Sequence, residues 1–123
     1  MPISGPEAMK NRTKRFALLV IRLCRGIPPS QEGRIVVRQL LRSATSVAAN
    51  YRAVCRARST ADFVSKLGIV LEEADESLFW LELLVDAGVV PPETVSLPLK
   101  EANELVAIFV ASLRTAKGVQ SAI

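Results

Sequence analysis

Histidine is absent from this sequence, and aromatic residues are few: four phenylalanines, one tyrosine and one tryptophan. The missing histidine removes the usual general base, the usual zinc ligand and the imidazole that activates a serine or cysteine nucleophile. It also weakens the reading of a di-metal bundle site, which would want inward-facing Glu-x-x-His motifs. The two cysteines, Cys24 and Cys55, form no CxxC pair, and each falls at or beside an apolar helix position. They read as reduced thiols in or near a core. Ser65 and Lys66 are adjacent, so on a helix they point apart and make no dyad. The sequence therefore names no catalytic residue, no metal ligand and no cofactor, and the expectation is a protein that is not an enzyme.

Long hydrophobic runs are missing as well. The longest, Leu105–Ala111, falls far short of the ~20 residues that span a bilayer. At the start of the chain Pro, Gly and Glu precede a basic cluster, with no small-residue cleavage site, unlike a secretory signal. A cytoplasmic location without membrane attachment is the expectation. Half of the 123 residues are nevertheless hydrophobic, with a mean hydropathy of +0.28. The chain is long enough to bury a core as one domain. Its apolar excess points to surface covered by another chain.

Charge is present in both signs, but not evenly. Met1–Arg58 holds twelve cations against two carboxylates, a formal +10, whereas Ser59–Ile123 holds four against ten, a formal −6. The basic part either meets an acidic partner such as nucleic acid, or the two parts are made for each other.

Strand signals are weak, because the β-branched residues fall on helical spacing rather than in alternation. Four amphipathic helices are expected, at about 7–25, 31–57, 60–87 and 97–117, with frayed ends at 1–6 and 118–123. The first carries Met9, Phe16, Val20 and Leu23 on one side, and Gly26 and Pro28-Pro29 stop it. Ser30 is placed to cap the second, whose apolar face is Val36, Leu40, Ala44, Val47, Tyr51 and Val54. Ser59 caps the third, and Asp62 completes a capping-box-like pattern. In the third helix Val64, Leu71, Leu78 and Val85 repeat at seven, with Leu67, Ala74 and Leu81 between them, which predicts the seam of a shallow-angle bundle. The fourth carries Leu99, Ala102, Val106, Phe109, Leu113 and Ala116, and Pro98 marks its start or a kink. Short links between long helices give an all-α, up-down-up-down antiparallel four-helix bundle.

On the second helix Arg34, Arg38, Arg42, Arg52 and Arg56 fall within an arc of roughly 80°, away from the apolar face. Thr45 and Ala49 fill the same face between them. Arginine's planar fork suits phosphate, and the first helix adds Lys10, Lys14, Arg22 and Arg25 on its outer side. Such a surface holds a nucleic-acid backbone and reads little sequence. The competing reading pairs these arginines with the carboxylates of the third helix, in the same subunit or a neighbour. Glu72, Glu73, Asp75 and Glu76 crowd that helix; Asp75 and Glu82 lie beside the heptad seam, as candidates for partly buried pairs with arginine. The segment Leu78–Val85 is apolar nearly all round, with Phe79 and Leu83 on one flank and Trp80 and Leu84 on the other. A helix of that kind needs a second covering surface, and a homo-oligomer interface is expected there.

Three stretches, Arg42 to Arg52 (RSATSVAANYR), Ala57 to Leu67 (ARSTADFVSKL) and Glu72 to Leu84 (EEADESLFWLELL), resemble one bacterial family. So do Lys100 to Leu105 and Thr115 to Lys117. The family is that of the four-helix bundle proteins of the ribosomal-RNA intervening-sequence type, including the accessory variability determinant of diversity-generating retroelements. The resemblance implies an up-down bundle assembled as a homopentamer. For retroelement members it implies nucleic-acid binding and association with a reverse transcriptase. It carries over no catalytic residue. Among the matched positions the cations are Arg42, Arg52 and Lys66. Many relatives carry Glu near Ala53, a charge this chain lacks.

Two functional expectations follow. In the first, a non-enzymatic oligomeric bundle binds RNA or DNA through Arg34, Arg38, Arg42, Arg52, Arg56, Arg22 and Lys66, as an accessory to a reverse transcriptase or an RNA process. In the second, the protein is an interaction module whose arginines bridge subunits. The oligomer interface is expected at Phe79, Trp80, Leu83, Leu84, Asp75 and Glu82.

Overall fold

A computed structural model describes residues 5–122 and shows four helices, α1 (Gly5–Arg25), α2 (Gln31–Val54), α3 (Thr60–Asp86) and α4 (Pro92–Ala122). Each helix packs on its neighbours in chain order, α1 on α2, α2 on α3 and α3 on α4. The ring closes through a much thinner contact between α4 and α1. This is the expected four-helix bundle. No helix among the described residues is long and apolar enough to cross a membrane.

The local chemistry accounts for the helix ends. Ser30 Oγ accepts the Gly33 amide at 3.0 Å and caps α2. A Cβ at Gly33 would lie 2.6 Å from that oxygen, so a larger residue there would displace the Ser30 side chain. Ser59 Oγ accepts the Asp62 amide at 3.0 Å and caps α3. The reciprocal half of the predicted box is displaced by one residue: Asp62 Oδ2 accepts from the Arg58 amide at 3.0 Å. At the other end of α3, Val89 N donates to Leu84 O and Gly88 N to Val85 O, both at 3.0 Å, with Gly88 at φ +72°. This double bond pattern closes a helix on a left-handed residue, which glycine adopts without a Cβ clash.

Two helix boundaries differ from the sequence reading. α2 ends at Val54 rather than near 57, so Arg56 lies in the following turn. α4 begins at Pro92 rather than near 97, and Pro98 sits inside it. Pro92 occupies the first helical position, where a missing N–H costs nothing. Pro98 lies close behind it, within the N-terminal part of the helix, and is buried. Gly118–Ala122 continue the helix instead of fraying, whereas residues 1–4 and 123 of the expected frayed ends lie outside the described residues.

The core draws on all four helices, with Phe16 and Val20 of α1, Leu40 and Val47 of α2, Leu81 and Leu84 of α3, and Leu105 and Phe109 of α4 almost wholly buried. Tyr51 stacks on Phe109, ring centroids 6.1 Å apart, and burial pushes its phenol up to about 12. α3 is rotated relative to the predicted seam. Its buried line is Leu67, Val70, Ala74, Ser77, Leu81 and Leu84, while Val64, Leu71, Leu78 and Val85 are only half-buried. At 3.6 residues per turn the shift is roughly 60°. Ser77 enters the core because it donates to Ser43 Oγ of α2 at 2.9 Å, and Ser43 passes a hydrogen bond to Leu40 O at 3.2 Å. Satisfied in this way, two buried hydroxyls cost little and fix the α2–α3 register.

Candidate nucleic-acid interface

The rotation of α3 decides which arginines are free. It turns Glu73 and Glu76 toward α2, where Arg42 Nη1 donates to Glu73 Oε2 at 3.0 Å and Nη2 pairs with Glu76. Arg42 is the member of the stripe that leans furthest toward α3, so it closes the α2–α3 seam rather than facing solvent alone. The other helical members, Arg34, Arg38 and Arg52, are exposed and have no ion-pair partner among the described residues. Arg56 is also exposed, but it extends the stripe from a turn and not from the helix.

Two further predicted contacts are placed elsewhere. Lys66 is half-buried and donates to Asp62 Oδ2 at 2.8 Å along α3. This hydrogen bond, helped by the Arg58 amide, holds the Asp62 carboxyl below its usual range. Arg22 projects on the α4 side of α1, into a groove it shares with Arg15, Leu18, Leu97 and Lys100. The α1 cations that adjoin the stripe are instead Lys10 and Lys14. With Arg52 they border a cavity of about 480 Å³ between α1 and α2, floored by Thr45, Ala48 and Ala49. Lys10 is partly neutralised by Glu7 at 3.4 Å, whereas Lys14 has no ion-pair partner among the described residues.

A second ion cluster spans the thin α1–α4 seam. Arg12 reaches Glu101 at 2.6 Å and Glu104 at 2.9 Å. Hydrogen bonding to Arg12 holds the Glu101 carboxyl below its usual range, and the same bond raises the Arg12 guanidinium. Nothing in local spacing announced this pair, because its partners lie 89 positions apart. A carboxyl depressed by folding stabilises fully above the unfolded value of about 4.3 and loses that contribution as pH falls through the folded value. Arg12→Ala is therefore expected to cost about 1 kcal/mol at neutral pH. The deficit should shrink as pH falls below the unfolded value of about 4.3, as read by urea denaturation at neutral and at acid pH. An equal deficit at both would show that Arg12 acts through packing alone.

The predicted interface residues of α3 divide. Phe79 is 52% exposed and meets Trp80 edge-on, centroids 4.9 Å apart. Trp80 and Leu83 are half-buried, and Trp80 Nε1 is buried with no acceptor among the described residues. Leu84 is fully buried in the core of its own chain, so it has no surface to offer a partner. Asp75 and Glu82 are exposed rather than partly buried. The same rotation explains all three departures: it carried Leu84 inward and turned the two carboxylates out.

The relatives are consistent with this architecture. The model of the 23S rRNA-intervening sequence protein family matches residues 8–111. The chain belongs to that family. A solved structure of a protein of unknown function from the S23 ribosomal protein family of Bacteroides thetaiotaomicron VPI-5482 superposes with a TM-score of 0.77 at 32% identity. The alignment covers 85% of this chain and 96% of that one. A comparison with the curated proteins gives no match. The family match takes in the whole of α2 and α3 and most of α1 and α4, and so includes the basic face.

Proposed function

We propose that this family member is a non-enzymatic homo-oligomeric bundle that binds nucleic acid through the cationic face of α1 and α2, in the cytoplasm. One observation carries the reading. Four acids of α3 and α4 engage the basic part, Glu73 and Glu76 through Arg42 and Glu101 and Glu104 through Arg12, yet Arg34, Arg38, Arg52 and Lys14 remain exposed without an ion-pair partner among the described residues. Unneutralised cations on adjoining helices repel one another unless an outside anion joins them. The family's name ties its members to intervening sequences of 23S rRNA, which favours RNA as that anion. The role is then an accessory to an RNA process, and the retroelement resemblance adds a reverse transcriptase as a candidate protein partner. In a direct test, Arg34→Glu with Arg38→Glu should weaken binding of a labelled RNA at least about twentyfold at 0.1 M salt in anisotropy while the helical circular dichroism stays the same. Undiminished binding in that variant would remove the proposal.

The interaction-module reading is favoured by a different observation. Exposed Phe79 lies on the outer side of α3 among Glu72, Asp75, Glu82 and Asp86, none of which has an ion-pair partner among the described residues. An apolar centre within an acidic rim suits a subunit contact, and the resemblance supplies the pentamer. Phe79→Ser is expected to dissociate the assembly in sedimentation velocity. If Arg34→Glu with Arg38→Glu dissociates it equally, the arginines bridge subunits rather than hold RNA.

A further inference from the structure

The cavity between α1 and α2 gives the cationic face a specific seat, and this step rests on the nucleic-acid reading above. Its floor is Thr45, Ala48 and Ala49, residues so short that an incoming group reaches the α2 surface itself. Lys14 rises from the α1 wall and Arg52 from the α2 wall. Thr45 is not a donor here, because its hydroxyl already donates to Leu41 O at 2.7 Å. The side-chain amide of Asn11 adds a neutral donor to the lining, and Lys10 with its ion-pair partner Glu7, 3.4 Å away, makes up the rest of the charged wall. Along α2 the floor and its arginine span Thr45 to Arg52, about 10 Å at the helical rise.

We infer that this groove seats the phosphodiester backbone of a single-stranded nucleic acid, with Lys14 and Arg52 clamping successive phosphates from opposite walls. A duplex presents its phosphates on a wide, stiff surface, and it meets the ridges of a helix pair rather than a groove one side chain deep. A single strand bends into such a groove. No aromatic ring lines the cavity, so there is no stacking platform of the kind that adds base contacts in other single-strand binders. The groove tracks backbone and is indifferent to base identity.

Blocking the floor without removing any cation tests this. Ala49 is exposed, so Ala49→Glu should fold normally while placing a carboxylate between the two clamps; Ala107→Glu, on exposed α4 surface, makes the same change in net charge elsewhere. Anisotropy is measured with a labelled oligothymidylate and with a duplex of equal length. Ala49→Glu should lose about twentyfold in single-strand affinity at 0.1 M salt, the contribution of two phosphate contacts. Ala107→Glu should change it by less than about twofold, and duplex binding should not distinguish the two variants. Lys14→Ala with Arg52→Ala, which leaves the floor untouched, should reproduce the loss and lower the salt slope by about 1.4. If the unaltered protein binds neither probe, the nucleic-acid reading fails and takes the groove with it. If it binds but the two Glu variants behave alike, the groove alone is refuted and the open face of α2 carries the binding.

Discussion

Phe109→Ala is expected to lower the unfolding free energy by about 3–5 kcal/mol, the range for removing a buried aromatic ring. Phe109 is 1% exposed and stacks on Tyr51, so the substitution opens a void and breaks an aromatic pair together. For a chain of this size such a loss moves the melting midpoint by about 10–25 °C. Burial and not residue type sets the effect, and two leucines on the same helix make the comparison. Leu105 is fully buried and Leu97 is 62% exposed. Leu105→Ala should cost about 2–5 kcal/mol, Leu97→Ala within about 0.5 kcal/mol of nothing. Urea denaturation followed by circular dichroism reads all three. Equal losses at Leu97 and Leu105 would show that α4 does not present Leu105 to the core.

The helices were legible because each carries its own punctuation. Ser30, Ser59 and Gly88 act where their chemistry predicts, and the apolar faces of α1, α2 and α4 point inward as spaced. α3 was misread in rotation, not in existence. Its surplus of leucines offers more than one apolar line, and periodicity alone prefers a line free of polar residues. The true line includes Ser77, whose partner Ser43 lies on another helix, and a hydroxyl satisfied across an interface looks like a surface residue in sequence. From that one error followed the misplacement of Leu84, Asp75 and Glu82. α4 was misread at its start for a separate reason: Pro98 looked like a boundary, but Pro92 already supplies the first-turn proline and the helix continues past both.

The candidate site shows the same division. The α2 arginines share a face as helical spacing requires, whereas their pairing depends on how neighbouring helices are rotated. Arg42 and Lys66 were matched to a family pattern yet are held by carboxylates; Lys14 entered as one of several outer cations, and only the packing of α1 on α2 makes it a wall of the groove beside Arg52. A charge run in sequence gives the number of cations; the fold determines how many remain available.

That number sets a measurable slope. With Arg34, Arg38, Arg52 and Lys14 available, each protomer should contact about four phosphates of a single strand, and log affinity should fall with log salt at a slope near −2.8. A fourfold rise in salt then weakens binding about fiftyfold. Arg34→Glu with Arg38→Glu removes two of the contacts, so whatever binding survives at low salt should show a slope near −1.4. Arg42 separates this account from an evenly weighted stripe. Arg42→Ala releases Glu73 and Glu76 near the basic face, so affinity falls somewhat. Arg42 makes no phosphate contact in this scheme, however, and the slope should stay near −2.8. A slope reduced by about 0.7 in that variant would mean that the α2–α3 ion pairs open when nucleic acid binds and that Arg42 joins the contact surface. Oligonucleotide anisotropy across a salt series, with the oligonucleotide short enough to engage one protomer, distinguishes these outcomes. The same series in the Ala49→Glu variant then reports how many of the four contacts lie within the groove.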